Sequence, residues 1–364
     1  MLTPVLDPSL GRPLYEQLYL QLRRDIESGS LIAGEKLPSK RALSAHLKVS
    51  VVTVEGAYGQ LLAEGYIRSE PKRGFFVSPL EIASPPAQQA PSVPVSEAAA
   101  APVPEYDFAT NAVDAVHFPF STWAKLMRQV LTREDSGLLS AIEPQGVPAL
   151  RAAIVQYLHD FRGITANPDQ VVVGAGSEYL IGILFQLLGR EGGYAVEDPG
   201  YLKVSRILAH QGALVCPIPL DDQGLRVDAL RWSGARVVHV TPSHHYPLGT
   251  VMPVGRRREL LSWAAEIPER YIIEDDYDSE FRFSGRPIPA LQSLDGGERV
   301  VYLNTFAKSL APSLRIGYMV LPPSLLPLYQ AQYAQFSCAV SRFEQQVLDA
   351  FLRQGAFETH LNRM

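Results

Sequence analysis

Cysteine is scarce: Cys216 and Cys338 are the only two in 364 residues. That is too few for a disulfide framework in a chain of this size, and it suits a reducing compartment. Neither stands at metal-ligand spacing. Long apolar runs are also lacking. No stretch reaches 18 consecutive apolar residues, and Met1 to Leu10 has no basic segment ahead of an apolar one. A membrane span and a secretory signal are therefore not expected, and a cytoplasmic location is. Strong charge of one sign is absent too. The net charge is −5, and residues 1–78 hold 10 Lys+Arg against 8 Asp+Glu, leaving 23 against 30 elsewhere. Any nucleic-acid surface must then be local. With 46% hydrophobic and 20% charged residues the composition is that of a folded globular protein. At about 100 to 200 residues per domain, the length predicts two or three domains.

The composition changes abruptly between Pro79 and Glu105, where 27 residues include seven prolines and seven alanines but no aromatic residue, Lys or Arg. This reads as a linker, extending at about 3.1 Å per residue where it adopts polyproline II. The chain accordingly divides into a small domain at 1–78, a Pro/Ala-rich linker at 79–105 and a large domain at 106–364. In the small domain Pro13 starts a helix whose apolar stripe is Tyr15, Leu18, Leu22 and Ile26, ending near Gly29. Ser39 caps a second helix through Leu47, and Lys48 and Val49 form a turn. Ser50 then caps a third helix from Val51 to about Glu64. Two helices across a short turn make a helix-turn-helix candidate. Tyr66 to Arg68 and Phe75 to Val77, around a polar turn from Ser69 to Gly74, read as a hairpin or wing with Lys72 and Arg73 at its tip.

In the large domain, apolar runs at 171–173, 237–240, 271–273 and 300–303 alternate with helical patterns, the signature of an α/β fold. Functional groups should then gather at the carboxyl ends of the strands. Gly174, Ala175, Gly176 and Ser177 follow the first run and open a helix, which suits a phosphate or is simply a tight turn. The run Tyr271-Ile-Ile-Glu-Asp-Asp-Tyr277-Asp-Ser-Glu280 ends a strand in carboxylates, which are costly there without a partner. A solvated loop or a metal site would also accommodate them, although no His or Cys lies within the cluster. Lys308 stands just past the last run, with Arg315 seven residues on. A desolvated lysine there can form an imine with an aldehyde, whereas most lone lysines are surface charges.

Taken in this order, the three features resemble class I/II aminotransferases of fold type I, which hold pyridoxal 5′-phosphate (PLP). The resemblance covers about Tyr106 to Met364. It implies that Lys308 is the imine lysine and that Asp275 pairs with the pyridinium nitrogen, keeping the ring an electron sink. It further implies that Tyr277 reaches the phenolic oxygen of the ring, that Tyr201 stacks on the ring, and that Gly176, Ser177, Thr305 and Arg315 form the phosphate cup. The small domain, from Pro13-Leu-Tyr-Glu-Gln through Gly34-Glu-Lys-Leu-Pro-Ser39 to Gly74-Phe-Phe-Val77, resembles the GntR-type winged helix-turn-helix. A mainly α winged helix joined through a linker to an α/β aminotransferase-like domain is the architecture of the MocR/GabR family of transcriptional regulators. By that resemblance Ser39, Lys40 and Arg41 contact DNA phosphates, Ser50 and Thr53 lie on the recognition helix, and Arg73 with Gly74 enters the minor groove.

The chain departs from the family at several points. Lys48 stands where a Gly is usual, and Val51 stands where an Arg is usual; valine binds neither phosphate nor guanine. Tyr246-Pro-Leu-Gly249 replaces the Asn-Pro-Thr-Gly of true aminotransferases, which favours regulation over turnover. Lys203 occupies the place of a second anion-binding arginine in some members. At Met364 the chain stops where the family continues into a small C-terminal subdomain carrying a carboxylate-binding arginine. The leading expectation is a homodimeric regulator that binds operator DNA and senses PLP or an amino compound at Lys308. An active PLP-dependent aminotransferase is the alternative, and a scaffold binding no cofactor is a third.

Overall fold

The computed structural model describes residues 6–8, 11–79, 113, 116–133, 135–281 and 288–364. Apart from Pro79, the expected linker at 79–105 lies outside the described residues. The chain divides into two compact units between Val103 and Pro104. No helix among the described residues is long and apolar enough to cross a membrane.

In the smaller unit, α1 (Leu14–Glu27) follows Pro13, which has no N–H to leave unsatisfied. Its buried stripe is Leu18, Tyr19, Leu22 and Ile26. Tyr15, expected on that stripe, is instead 42% exposed. It packs beside Gly56, which has no side chain to cover it. Ser39 caps α2 (Lys40–Leu47) by accepting from the Ala42 amide at 3.2 Å, and Ser50 caps α3 (Val51–Ala63) by accepting from that of Thr53 at 3.1 Å. Between them Lys48 takes a left-handed φ of 55°, which explains why glycine suits this position. The Ser44 hydroxyl donates to the Val49 carbonyl at 2.6 Å and ties the turn to α2. Val54, Ala57, Tyr58 and Leu61 of α3 are buried in one cluster with Leu18, Leu22 and Leu43. Strands β1 (Lys36–Leu37), β2 (Ile67–Glu70) and β3 (Gly74–Val77) form a sheet in the order β1-β3-β2. Glu70 pairs with Gly74, so the wing turn contracts to residues 71–73, three residues shorter than the sequence pattern indicates. Strand β1 is two residues long, too short to show a period-2 pattern.

The larger unit begins with α4 (Phe120–Leu131) and α5 (Pro148–Arg162), then alternates strand and helix. The elements are β4 (Val171–Gly174), α6 (Ser177–Leu188), β5 (Tyr194–Asp198), α7 (Leu202–His210), β6 (Val215–Asp221), β7 (Gly224–Leu225) and α8 (Val227–Trp232). They continue with β8 (Val237–Val240), α9 (Val254–Ala265), β9 (Tyr271–Asp275), α10 (Leu291–Asp295), β10 (Val300–Thr305) and β11 (Gly317–Val320). Helices α11 (Leu326–Tyr333), α12 (Arg342–Arg353) and α13 (Ala356–Leu361) complete it. The eight-stranded sheet runs β4-β11-β10-β9-β8-β5-β6-β7. Strands β10, β9, β8, β5 and β6 are mutually parallel, while β11 is antiparallel to both β10 and β4.

Alternate side chains enter opposite layers. Val171 and Val173 pack with α5 and α12 residues such as Leu150 and Phe351, whereas Val172 packs with Leu180 and Leu184 of α6. Helices thus cover both faces, which is why these strands read as unbroken apolar runs. Burying both faces leaves the carboxyl edge of the sheet as the place where backbone ends and polar side chains converge.

Candidate functional sites

At the carboxyl end of β4 the chain turns through Gly176, with φ 89°, into α6, and no side chain caps that helix. The first-turn amides of α6 are left for an anion, and the helix dipole favours one. The guanidinium of Arg315 stands over this turn and donates to the Ala175 carbonyl at 3.0 Å. A Cβ on Gly176 would lie 3.0 Å from Arg315 Nη2, so glycine is required both by φ and by the arginine's approach. Because β11 is antiparallel, Arg315 just before it reaches the same edge that β4 reaches at its end. Gly176, Ser177 and Arg315 are therefore together. The Thr305 hydroxyl is engaged otherwise: it donates to the Ile316 carbonyl at 3.2 Å and accepts from the Ala307 amide at 3.2 Å, fixing the turn that leads to Lys308. Lys203 forms an ion pair with Glu178 at 2.7 Å, which lowers the Glu178 pKa.

The carboxylates at the end of β9 and just after it each find a distinct partner. Glu274 accepts from the amides of Leu291 and Gln292 at 2.7 and 2.8 Å, at the start of α10. Asp276 meets Arg162 of α5 at 2.8 Å and accepts from the Tyr302 hydroxyl at 2.6 Å. Asp278 lies 2.5 Å from His244 Nδ1. Glu280 accepts from Asn304 at 3.2 Å, and burial pushes its pKa up to about 8. Asp275 Oδ2 is 3.2 Å from His239 Nε2, both side chains being buried, while Asp275 Oδ1 is buried with no hydrogen-bond partner. Behind this pair, Glu197 accepts from the Thr241 amide and hydroxyl at 3.1 and 2.8 Å. Its burial raises the pKa to about 7, against the pull of Thr241 and of the nearby His239. Among the described residues no cluster of His, Cys, Asp and Glu is arranged to hold a metal ion.

Asp275 and Leu303 are register partners on β9 and β10, so the turn bearing Lys308 leaves the sheet beside Asp275. Lys308 is half-buried, and its charge is felt at Asp278, whose pKa burial raises. His360 of α13 bonds the Ser309 carbonyl at 2.7 Å and anchors this turn; burial lowers its pKa. Tyr277 stacks on His244 at 6.2 Å, its hydroxyl 3.5 Å from Nδ1, and burial raises its pKa. Tyr201, after β5, meets Tyr246 edge-on at 5.7 Å, and both rings are partly exposed.

These residues fit PLP. The uncapped α6 start and Arg315 would hold its phosphate, and the orphaned Asp275 oxygen would be satisfied by a protonated ring nitrogen. Sequence reasoning missed Arg162, His239, His244, Tyr302 and Asn304. Only the crowding of acids after β9 hinted that such partners exist.

In the smaller unit, Ser39, Lys40 and Arg41 lie at the start of α2, with Ser50 and Thr53 at that of α3. The Ser50 and Thr53 hydroxyls are 2.8 Å apart. Lys40 pairs with Glu55 at 2.5 Å and lies 5.7 Å from the Phe75 ring centre, joining α2 to the wing. Arg41 is exposed. At the wing tip Arg73 pairs with Glu70 and lies over Phe76 at 5.4 Å, while Gly74 adopts φ 114°.

Residues 105–364 match the family Aminotransferase class I and II, and residues 14–77 match Bacterial regulatory proteins, gntR family. The chain is similar to the uncharacterized HTH-type transcriptional regulator YdeL of Bacillus subtilis (strain 168), 40% identical over 100% of this chain and 78% of that one. The probable rhizopine catabolism regulatory protein MocR of Rhizobium meliloti is 37% identical over 99% of this chain and 76% of its own length. Among solved structures, the multiple substrate aminotransferase of Thermococcus profundus aligns with TM-score 0.63 and 29% identity, over 70% of this chain and 66% of that enzyme, just under two thirds of it. The larger unit thus has the type I fold of PLP-family aminotransferases, and the smaller is a winged helix-turn-helix. The chain belongs to the MocR-type helix-turn-helix regulators, which join a gntR-family region to an aminotransferase class I and II region.

Proposed function

We propose that this chain is a transcriptional regulator that binds operator DNA through residues 1–78 and senses PLP, or an amino compound reacting with it, through residues 106–364, with 79–105 as the linker. A homodimer is the expected working form, as the family resemblance implies. The observation that carries the reading is the buried, unpartnered Asp275 oxygen on the sheet edge that also holds the uncapped α6 start, Arg315 and Lys308. PLP, when bound, would supply an aldehyde and a ring that withdraws electrons. Lys308 would be its anchor. Asp275, oriented by His239, would hold the ring nitrogen and its proton. Gly176, Ser177 and Arg315 would hold the phosphate, with Thr305 shaping the turn, while Tyr277 and Tyr201 would line the ring. On the DNA side, Ser39, Lys40, Arg41, Ser50, Thr53, Arg73 and Gly74 present the contact surface.

Tyr246 in the place of the transaminase asparagine favours sensing over turnover. Lys308, Asp275, Arg315 and the α6 start equally suit an aminotransferase, so the test must separate the two. The affinity of the full chain for DNA selected from a random pool would be measured with and without PLP and amino compounds, while keto-acid production is followed in parallel. The proposal expects DNA affinity to respond to PLP or an amine in the parent chain and not in Lys308→Ala, without multiple turnover. Sustained keto-acid production, or DNA binding indifferent to both ligands, overturns it.

A further inference from the structure

The start of α3 exposes apolar side chains where a DNA-reading helix ordinarily carries polar or cationic groups. Val51 is 42% exposed and Val52 74% exposed, and the helix from Val51 to Ala63 contains no Lys or Arg. The polar groups of its first turn are engaged with one another, since Ser50 Oγ accepts from the Thr53 amide and lies 2.8 Å from the Thr53 hydroxyl. One turn further on, Glu55 is held by Lys40. Cations instead flank this face: Arg41 is exposed at the start of α2, and Lys48 is exposed in the turn between the helices.

The division is informative. In helix-turn-helix docking, flanking cations meet phosphates while the N-terminal residues of the second helix meet base edges in the major groove. Two exposed valines offer that groove no hydrogen bond. The apolar feature available there is the C5-methyl group of thymine, whose burial against an alkyl side chain is favourable. We propose that Val51 and Val52 read thymine methyl groups and are specificity-determining residues of the operator. This rests on the DNA-binding reading of the N-terminal unit and adds to it which base feature is read.

The experiment uses the full chain and duplexes selected by it from a random pool. Each thymine in the selected site is replaced in turn by deoxyuridine, which removes only the methyl group. The parent is expected to lose about four-fold in affinity at each contacted thymine, the effect of one buried methyl. The double variant Val51→Ala, Val52→Ala keeps the helix, since both sites are exposed and alanine is a strong helix former. It should bind thymine and uracil duplexes alike. A parent indifferent to the methyl at every thymine overturns the proposal, as does a penalty of the same size in the variant. Unchanged selection by the variant also overturns it. If no sequence is enriched at all, the DNA-binding reading fails with it, whereas clear enrichment with methyl indifference removes this inference alone.

Discussion

Replacing Arg162 by methionine should unfold the larger unit at a markedly lower temperature. The guanidinium forms an ion pair with Asp276 at 2.8 Å and donates to the Ile288 carbonyl at 2.5 Å and to the Ser243 hydroxyl at 2.9 Å. The side chains of the ion pair are only 4% and 1% exposed. Methionine fills much of the same volume but leaves Asp276 with a single donor, Tyr302, and its other oxygen is already unpartnered. Removing one member of a buried pair costs about 3–5 kcal/mol. For a unit of this size that is about 2–4 °C per kcal/mol, a fall of about 6–20 °C. Asp276→Asn alone strands the arginine and should cost a similar amount. The double variant, with neither charge, should recover about 2 kcal/mol or more relative to the sum of the singles. Scanning calorimetry of the full chain is the assay, since two compact units need not melt together. The transition of the smaller unit should not move. A fall below about 2 °C for Arg162→Met, or strictly additive singles, would refute the reasoning.

Two further expectations come from charge. In the folded chain Glu280 stays protonated up to about pH 8, whereas in the unfolded chain it ionises near its ordinary value, 4.5. Between those values the native state binds more protons, so this group makes stability fall as pH rises. Glu280→Gln should therefore match the parent near pH 5 and exceed it in thermal stability above pH 8; a constant difference across that range would contradict the assignment. Arg73→Ala should weaken DNA binding and reduce the slope of log affinity against log salt by about 1, the mark of one lost phosphate or minor-groove cation. An unchanged slope and affinity would remove Arg73 from the interface.

Much of the architecture is legible in the residues. Val237 to Val240, Tyr271 to Ile273 and Val300 to Leu303 read as strands because helices cover both of their faces, and Ser39 and Ser50 mark helix starts through their hydroxyls. Strand β6 is obscured by Pro217 and Pro219, which are exposed on either side of buried Ile218, and β11 is only four residues long. The acidic run after β9 announces a need for partners without naming them. Arg162 comes from a helix far earlier in the chain, and His239 from a neighbouring strand, so only the folded topology brings them to Asp276 and Asp275. Thr305 shows a different limit. Its position suits a phosphate contact, but whether the hydroxyl faces the ligand or its own turn depends on local backbone geometry.

The account stands most directly on Lys308. The purified chain, incubated with PLP and reduced with borohydride, would be digested and mapped by mass spectrometry. A pyridoxyl group on Lys308, lost in Lys308→Ala and reduced in Arg315→Ala, is the expected result. A label on another lysine with Lys308 unmodified, or no label at any PLP concentration, would contradict the account.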